Sequence, residues 1–130
     1  MNLLILVVED EPPIQLELEG ALHDGGYSTD VQSSGEAAIA KLEGAPEIRA
    51  LITDINLLDE ITGWEVARRA REIFPDLPVV YVTSMAAEQW TSQGVPKSIL
   101  IQKPFAPAQI TTAISQLLTA CESPVTPGPI

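Results

Sequence analysis

Short apolar runs recur along the chain and are separated by segments with a different periodicity. Four of the runs, residues 3–8, 50–53, 79–82 and 98–101, are apolar except for Thr53 and Ser98 at the ends of two of them. This is typical of strands that are buried on both faces. Residues 27–31 instead alternate apolar and polar side chains, which indicates a half-buried strand. The pattern therefore predicts five strands.

A segment with apolar residues at helical spacing follows each predicted strand. The pattern is clearest in residues 66–74 and 110–118 and weakest in residues 86–92. Regular alternation of buried strands with helices favours βαβ crossovers. We therefore predict an α/β fold with a doubly wound, five-stranded parallel sheet and helices on both faces.

Two short motifs predict where helices begin. Ser33 is followed three residues later by Glu36, and Thr62 is followed three residues later by Glu65. In a capping box of this kind, each side chain satisfies a backbone N–H that has no partner within the helix. The motifs predict the starts of the second and third helices.

Length and composition limit the classes of protein that the chain could belong to. A length of 130 residues suits one domain, which we place at residues 1–121, with the Pro-rich residues 122–130 as a disordered tail or linker. The net charge of −11 argues against nucleic-acid or anionic-membrane binding. The first apolar run is too short for a membrane span. Because Cys121 is the only cysteine, no internal disulfide can form, and we expect a cytoplasmic location.

Chemically active side chains follow four of the predicted strands. Glu9 and Asp10 follow the first strand, Asp54 the third, Thr83 the fourth and Lys103 the fifth. The carboxyl ends of parallel strands meet at one edge, so these residues should lie together. Crowded carboxylates resist ionisation unless a cation is present, and Mg²⁺ prefers oxygen ligands. With the Lys103 ammonium nearby, the cluster predicts a site for Mg²⁺ and a phosphoryl group.

These motifs, in this order, resemble the receiver domain of two-component response regulators over roughly residues 1–120. The resemblance implies a flavodoxin-like sheet with strand order 2-1-3-4-5. It implies that Asp54 is the phosphoacceptor. It also implies that Glu9, Asp10, Asp54 and the backbone carbonyl of Asn56 bind Mg²⁺, with Asp10 favoured over Glu9 as a direct ligand.

The resemblance assigns roles to two further residues and to partners. Thr83 would be the switch hydroxyl, and Lys103 would pair with the phosphoryl group and form a cis peptide bond with Pro104. The phosphoryl donor would be a sensor histidine kinase or a histidine phosphotransfer protein. A downstream protein would dock near the fourth helix, fifth strand and fifth helix. Such a domain catalyses its own phosphorylation and dephosphorylation and is not a conventional multiple-turnover enzyme.

Three positions depart from the pattern of that family. Leu100 stands where an aromatic switch residue is usual, Leu58 stands where proline is usual, and Gly63 comes one position late, so the loop after Asp54 is one residue longer. These departures leave open a protein-binding module with a receiver fold that works without phosphorylation. A phosphohydrolase of the haloacid dehalogenase type also uses an Asp nucleophile, but it needs a second Asp where this chain has Asn56.

Several other residues carry no predicted function. Trp90 is expected to pack rather than to bind a partner. For the three arginines of the predicted third helix, contact with an acidic partner is the alternative to exposure to solvent. The residues that we predict to be solvated surface groups are Glu11, Asp59, Arg68, Arg69 and Arg71.

Overall fold

A computed structural model describes residues 2–84 and 89–122, in which strands and helices alternate. The strands are β1 (Leu4–Val8), β2 (Ser28–Gln32), β3 (Ile48–Asp54), β4 (Val79–Thr83) and β5 (Ser98–Gln102). The helices are α1 (Pro12–Asp24), α2 (Gly35–Gly44), α3 (Gly63–Ile73), α4 (Trp90–Gln93) and α5 (Pro107–Glu122).

The five strands form one parallel sheet in the order β2-β1-β3-β4-β5, which confirms the predicted doubly wound, flavodoxin-like fold. The order reverses between β1 and β3. Val8 lies opposite Thr53, and Asp54 lies opposite Val82. The carboxyl ends of β1, β3 and β4 therefore finish at the same edge, where ligands bind in sheets of this kind.

The core consists of two apolar clusters, one on each face of the sheet. Helices α2 and α3 contribute to one cluster, and α1 and α5 contribute to the other. Successive residues of a strand point to opposite faces, so Leu6 of β1 belongs to the first cluster and Val7 to the second. The edge strand β2 is half-buried along its whole length, as its alternating sequence predicted. Burial on both faces fixes the central strands, and with them the positions of the strand ends.

One of the two predicted capping boxes forms. The Glu65 N–H donates to Thr62 Oγ1 at 3.3 Å, and the Thr62 N–H donates to Glu65 Oε1 at 2.8 Å. The predicted box of Ser33 and Glu36 is wrong, because the N-cap of α2 is Ser34, whose hydroxyl accepts from the N–H three residues later. Two adjacent serines offer the same local signal, and α2 begins one residue later than the motif suggested.

The predicted solvated face of α3 is wrong for Arg71, which is half-buried, whereas Arg68 is exposed and also hydrogen-bonded. The Arg71 guanidinium donates to the carbonyls of Leu77 and Pro96, each at 2.7 Å. The Arg68 guanidinium donates to the Gln93 side chain at 3.1 Å and to its carbonyl at 3.3 Å. These bonds connect α3 to the end of α4, to the turn before β5 and to the turn before β4.

The fourth helix is short within the described residues, which omit 85–88, so only part of the predicted segment 86–92 is described. Trp90 is 36% exposed, and its indole N–H donates to Ser98 Oγ at 2.9 Å. The ring therefore packs its edge against β5 while part of it faces solvent.

The described chain ends within α5, which continues through Glu122. The rest of the predicted tail, residues 123–130, lies outside the described residues. Among the helices that are described, none has the length and apolar character needed to cross a bilayer.

Candidate functional site

The ammonium group of Lys103 lies among three carboxylates at the carboxyl edge of the sheet. Its Nζ atom is 3.1 Å from Glu9 Oε1, 3.3 Å from Asp54 Oδ2 and 3.3 Å from Glu11 Oε1. The structure therefore brings Glu9, Asp54 and Lys103 into direct contact, although they follow three different strands. We call Glu9, Asp10, Glu11, Asp54 and Lys103 the rim cluster.

Backbone bonds between neighbouring strands hold the rim cluster in place. The Glu9 N–H donates to the Gln32 carbonyl at 3.0 Å, which continues the pairing of β1 with β2. The Lys103 N–H donates to the Thr83 carbonyl at 2.8 Å, which continues the pairing of β4 with β5. The peptide bond between Lys103 and Pro104 is cis, as predicted. The charged side chains thus extend from backbone that the sheet itself positions.

Glu9 is fully buried and incompletely satisfied. Its Oε2 accepts from the Glu11 N–H at 3.2 Å. Its Oε1 forms an ion pair with the Lys103 ammonium and has no other partner among the described residues. Burial, with a further contribution from the Asp54 charge, raises the pKa of Glu9 to about 7 despite Lys103. Without a further cation, this carboxylate is costly to ionise.

Asp54 ends β3 with its side chain almost fully buried. Its Oδ1 accepts from the Ile55 N–H at 2.7 Å. Burial raises the pKa of Asp54, while the Lys103 charge and the N–H groups of Ile55 and Asn56 oppose that rise. The N–H groups and the ammonium hold the carboxylate in one orientation, which suits an oxygen nucleophile.

Lys103 keeps its charge in this setting. Burial lowers the pKa of Lys103, but the charges of Asp54 and Glu9 outweigh burial, and the net pKa is raised. The residue therefore provides a fixed positive charge beside Asp54, available to compensate negative charge on a bound group.

The remaining predicted site residues lie around this cluster. Thr83 is fully buried at the end of β4. Asn56 lies two residues after Asp54 and is exposed, and its backbone N–H contributes to lowering the pKa of the Asp54 carboxyl. The proposed contact of the Asn56 carbonyl with a metal ion stays a prediction.

The rim cluster matches the requirements of a hard divalent cation. Glu9, Asp10, Glu11 and Asp54 each offer a carboxylate oxygen, and these oxygens all lie within 4.8 Å of one another. All four donors are oxygens, which Mg²⁺ prefers. Buried Glu9 Oε1 has only the Lys103 ammonium beside it, which it shares with Glu11 and Asp54, and this is an additional reason for a cation here.

Glu11 was expected to be a solvated charge, and this expectation was incomplete. Its side chain is 62% exposed, yet its carboxylate contacts Lys103 and contributes to the rim cluster. The sequence did contain a hint of this role. Glu11 lies two residues after Glu9, close enough for the Glu11 N–H to donate to the Glu9 carboxylate.

Sequence reasoning missed the role of Tyr81, which lies two residues before Thr83 on β4. Tyr81 lies directly opposite Leu100 of β5. Leu100 occupies the position where the family usually has an aromatic residue. The buried Tyr81 ring lies 4.7 Å from the Trp64 ring, and its hydroxyl accepts from the Val95 N–H at 3.1 Å. Burial raises the pKa of Tyr81, so the hydroxyl stays neutral. Aromatic packing in this region therefore comes from β4 rather than β5.

The expectation that Asp59 is merely solvated is wrong. Its carboxylate accepts from the N–H groups of Gly35 and Glu36 at the start of α2. The loop that contains Asp59 is thus attached to a neighbouring helix.

Comparison with known proteins identifies relatives of the whole folded region. The family model described as "Response regulator receiver domain" matches residues 5–115. The response regulator receiver protein CpdR of Brucella abortus (strain 2308) is 33% identical over 118 residues, which cover 89% of this chain and 97% of CpdR. The phyllosphere-induced regulator PhyR of Methylorubrum extorquens is 30% identical over 115 residues, which cover 88% of this chain but only 43% of PhyR.

Solved structures agree with this assignment. A response regulator receiver protein from Sinorhizobium medicae WSM419 superposes with a TM-score of 0.89 at 44% identity, covering 92% of this chain and 96% of that one. A CheY-like receiver domain protein from Methanospirillum hungatei JF-1 superposes with a TM-score of 0.85 over 96% of this chain and 100% of that one. At 22% identity, the second likeness concerns the fold alone.

Proposed function

The chain belongs to the response regulator receiver domain family, and on this premise we propose that it is a signalling switch in which Asp54 accepts a phosphoryl group. Receiver domains receive phosphoryl groups from histidine kinases or phosphotransfer proteins and act on downstream partners. The observation that carries the proposal is the buried Asp54 carboxylate, 3.3 Å from the Lys103 ammonium and within a cluster of carboxylates.

The proposed reaction is a direct phosphoryl transfer. An Asp54 carboxylate oxygen forms a bond to phosphorus while the bond from phosphorus to the imidazole nitrogen of the donor phosphohistidine breaks. The imidazole retains the electron pair of that bond and is then protonated. Lys103 compensates negative charge on the transferred group. Attack of water on phosphorus later releases inorganic phosphate and restores Asp54.

We assign the Mg²⁺ site to Glu9, Asp10, Asp54 and the Asn56 carbonyl, as the resemblance implies. Receiver domains generally use Mg²⁺ at an acidic pocket, and this chain has such a cluster. When bound, the ion supplies positive charge to the phosphoryl oxygens. The chain's own residues orient the Asp54 carboxylate and limit its exposure to water.

Phosphorylation would change the charge at the end of β3, and we propose that Thr83 moves in response. The downstream docking surface would comprise α4, β5 and α5. The partly exposed Trp90 supports this location, because aromatic side chains are common anchors of protein interfaces. The domain boundary at residue 121 and the cytoplasmic location stay predictions.

Intact-protein mass spectrometry tests the proposed acceptor. Incubation with Mg²⁺ and a small acyl phosphate should add one phosphoryl group to the wild type and none to Asp54→Asn. Asp24→Asn, at the exposed end of α1, is the matched control and should be modified like the wild type. Equal modification of Asp54→Asn and wild type would place the phosphoryl group elsewhere and refute the assignment.

One observation favours the alternative of a binding module that does not need phosphorylation. Leu100 occupies the usual aromatic switch position and packs against the core beside Tyr81. In that case, a partner captured by the wild type would bind Asp54→Asn with equal affinity. A loss of binding in Asp54→Asn would exclude the alternative.

A further inference from the structure

The loop between Asp54 and α3 is attached to the N-terminus of α2. Asp59 Oδ1 accepts from the Gly35 N–H at 3.2 Å, and Asp59 Oδ2 accepts from the Glu36 N–H at 3.0 Å. The first N–H groups of a helix have no partner within the helix, and a negative charge beside them is favourable. Ser34 caps the next N–H of α2, that of Ala37. The start of α2 is therefore satisfied jointly by its own N-cap and by a distant loop.

A close apolar contact reinforces these hydrogen bonds. A Cβ atom on Gly35 would lie 2.7 Å from Ile61 Cγ2 and 3.1 Å from the Ile61 carbonyl oxygen. Only a residue without a side chain allows the loop to approach α2 this closely. The loop thus contacts α2 through two different residues, Asp59 and Ile61.

The base of the same loop is fixed against β3. The Gly63 N–H donates to the Ile55 carbonyl at 2.8 Å. A Cβ atom on Gly63 would lie 2.0 Å from the Asp54 carbonyl oxygen, so glycine is required where the loop returns to the strand end. Asn56 directly follows Ile55 at this base and precedes Asp59 in the loop. Both ends of the segment that contains Asn56 are therefore held.

The N-terminus of α2 is also connected to the other side of the rim cluster. The Gln15 side-chain amide donates to the Glu9 carbonyl and, at 3.3 Å, to Ser33 Oγ immediately before the N-cap. The loop with Glu9 and the loop with Asp54 consequently share one support, the start of α2. Asp59 provides the connection from the Asp54 side.

We propose that Asp59 is a positioning residue for the phosphoryl and Mg²⁺ site. By bonding the start of α2, it holds the loop in the conformation that places Asn56 beside Asp54. The inference rests on the proposed function, because it concerns the efficiency of that site. Asp59 itself contacts neither the phosphoryl group nor the reacting atoms, so its effect is exerted through the loop.

A comparison of two caps of the same helix tests the inference. Asp59→Ala and Ser34→Ala each remove a cap of α2, and both should lower the melting temperature. Of these two variants, only Asp59→Ala should weaken Mg²⁺ binding, by about tenfold in an NMR titration, because Asp59 is part of the loop and Ser34 is not. Phosphorylation of Asp59→Ala should need more Mg²⁺ for half-maximal rate, while the rate at saturating Mg²⁺ stays close to that of the wild type.

Further variants keep the test decisive. Asp59→Asn retains one acceptor oxygen and should give an intermediate Mg²⁺ affinity. If Asp59→Ala does not fold, the Mg²⁺ affinity of Asp59→Asn is compared with that of the wild type instead. Glu60→Ala alters the exposed neighbouring residue and should match the wild type. If Asp59→Ala, Ser34→Ala and wild type bind Mg²⁺ equally, Asp59 is only a cap and the inference is wrong.

The same experiments separate this inference from the proposed function. Suppose that the wild type is phosphorylated, that Asp54→Asn is not, and that Asp59→Ala binds Mg²⁺ as tightly as the wild type. The proposed function then stands and only the inference about Asp59 is wrong. A wild type that binds Mg²⁺ but gains no phosphoryl group overturns the proposed function. In that event the NMR titration still decides whether Asp59 positions the Mg²⁺ site.

Discussion

Two clusters of opposite charges in this chain differ in burial and in hydrogen bonding. On the surface, Arg69 of α3 bonds Glu43 of α2 at 3.0 Å and Glu72 of its own helix at 2.9 Å. These side chains are 42%, 48% and 66% exposed, respectively. The hydrogen bonds to Glu72 and Glu43 raise the pKa of Arg69. Each group is paired and hydrated, and such pairs contribute little to stability.

The rim cluster has the opposite character. The side chains of Lys103, Glu9 and Asp54 are 12%, 0% and 8% exposed. One ammonium faces three carboxylates, and a buried Glu9 oxygen has no hydrogen bond. Burying charges with incomplete compensation reduces stability.

The comparison supports the proposed function of the rim cluster. In the surface cluster each carboxylate is paired with Arg69, whereas among the described residues the rim cluster has one ammonium for four carboxylates. Perturbed, incompletely compensated carboxylates at the carboxyl end of a parallel sheet are the features expected of a site. Burial and missing partners, rather than the number of charges, distinguish the two clusters.

Removing the central cation from each cluster should give the largest difference. We expect Lys103→Ala to lower the rate of phosphorylation by about 10²–10³-fold, because it removes a preorganised charge beside Asp54. Arg69→Ala should leave the rate unchanged. Time courses by intact-protein mass spectrometry, at saturating Mg²⁺, measure both. Equal rates for Lys103→Ala and wild type would mean that Lys103 is no more important for phosphorylation than Arg69.

The pH dependence of stability should reveal the buried Glu9 carboxylate of the rim cluster. The pKa of Glu9 is about 7 in the folded protein and ordinarily 4.5, so the folded state binds its proton more tightly than the unfolded state does. The resulting stabilisation is complete below pH 4.5 and is lost as the pH rises through about 7. Without Mg²⁺, this loss amounts to at most about 3 kcal/mol in the free energy of unfolding.

Urea denaturation in a metal chelator, between about pH 5 and pH 8, measures this loss. Glu9→Gln should lack the part of the pH dependence that Glu9 causes. An unchanged pH dependence in Glu9→Gln would mean that Glu9 is not the strained carboxylate.

The surface cluster should give the smallest effect. Arg69→Ala should lower the melting temperature slightly at low salt, and the difference should disappear at about 1 M salt, where exposed charges are screened. Differential scanning fluorimetry of both proteins across a salt series measures it. A large, salt-independent loss would show that the surface cluster contributes more to folding than its exposure implies.

The features predicted correctly from sequence depend on local patterns and on one rule of sheet geometry. Asp54 and Lys103 are far apart in sequence, but each follows a strand of one parallel sheet, so the rule places them at the same edge. The Thr62–Glu65 capping box was predictable because both of its residues belong to one helix start.

The features that were missed depend on packing between elements that are distant in sequence. Asp59 bonds the start of α2, and Arg71 bonds carbonyls before β5. Their partners follow from how helices and loops pack on the sheet, which hydrophobic periodicity does not specify. Glu11 contacts Lys103 for the same reason.

If the rim cluster binds a divalent cation, as proposed, thermal unfolding with and without Mg²⁺ should show it. Binding to the folded state alone raises stability. The melting temperature of the wild type should rise in millimolar MgCl₂ relative to NaCl of equal ionic strength, and it should rise less for Glu9→Gln. A wild-type melting temperature that is the same in both salts would contradict the proposal.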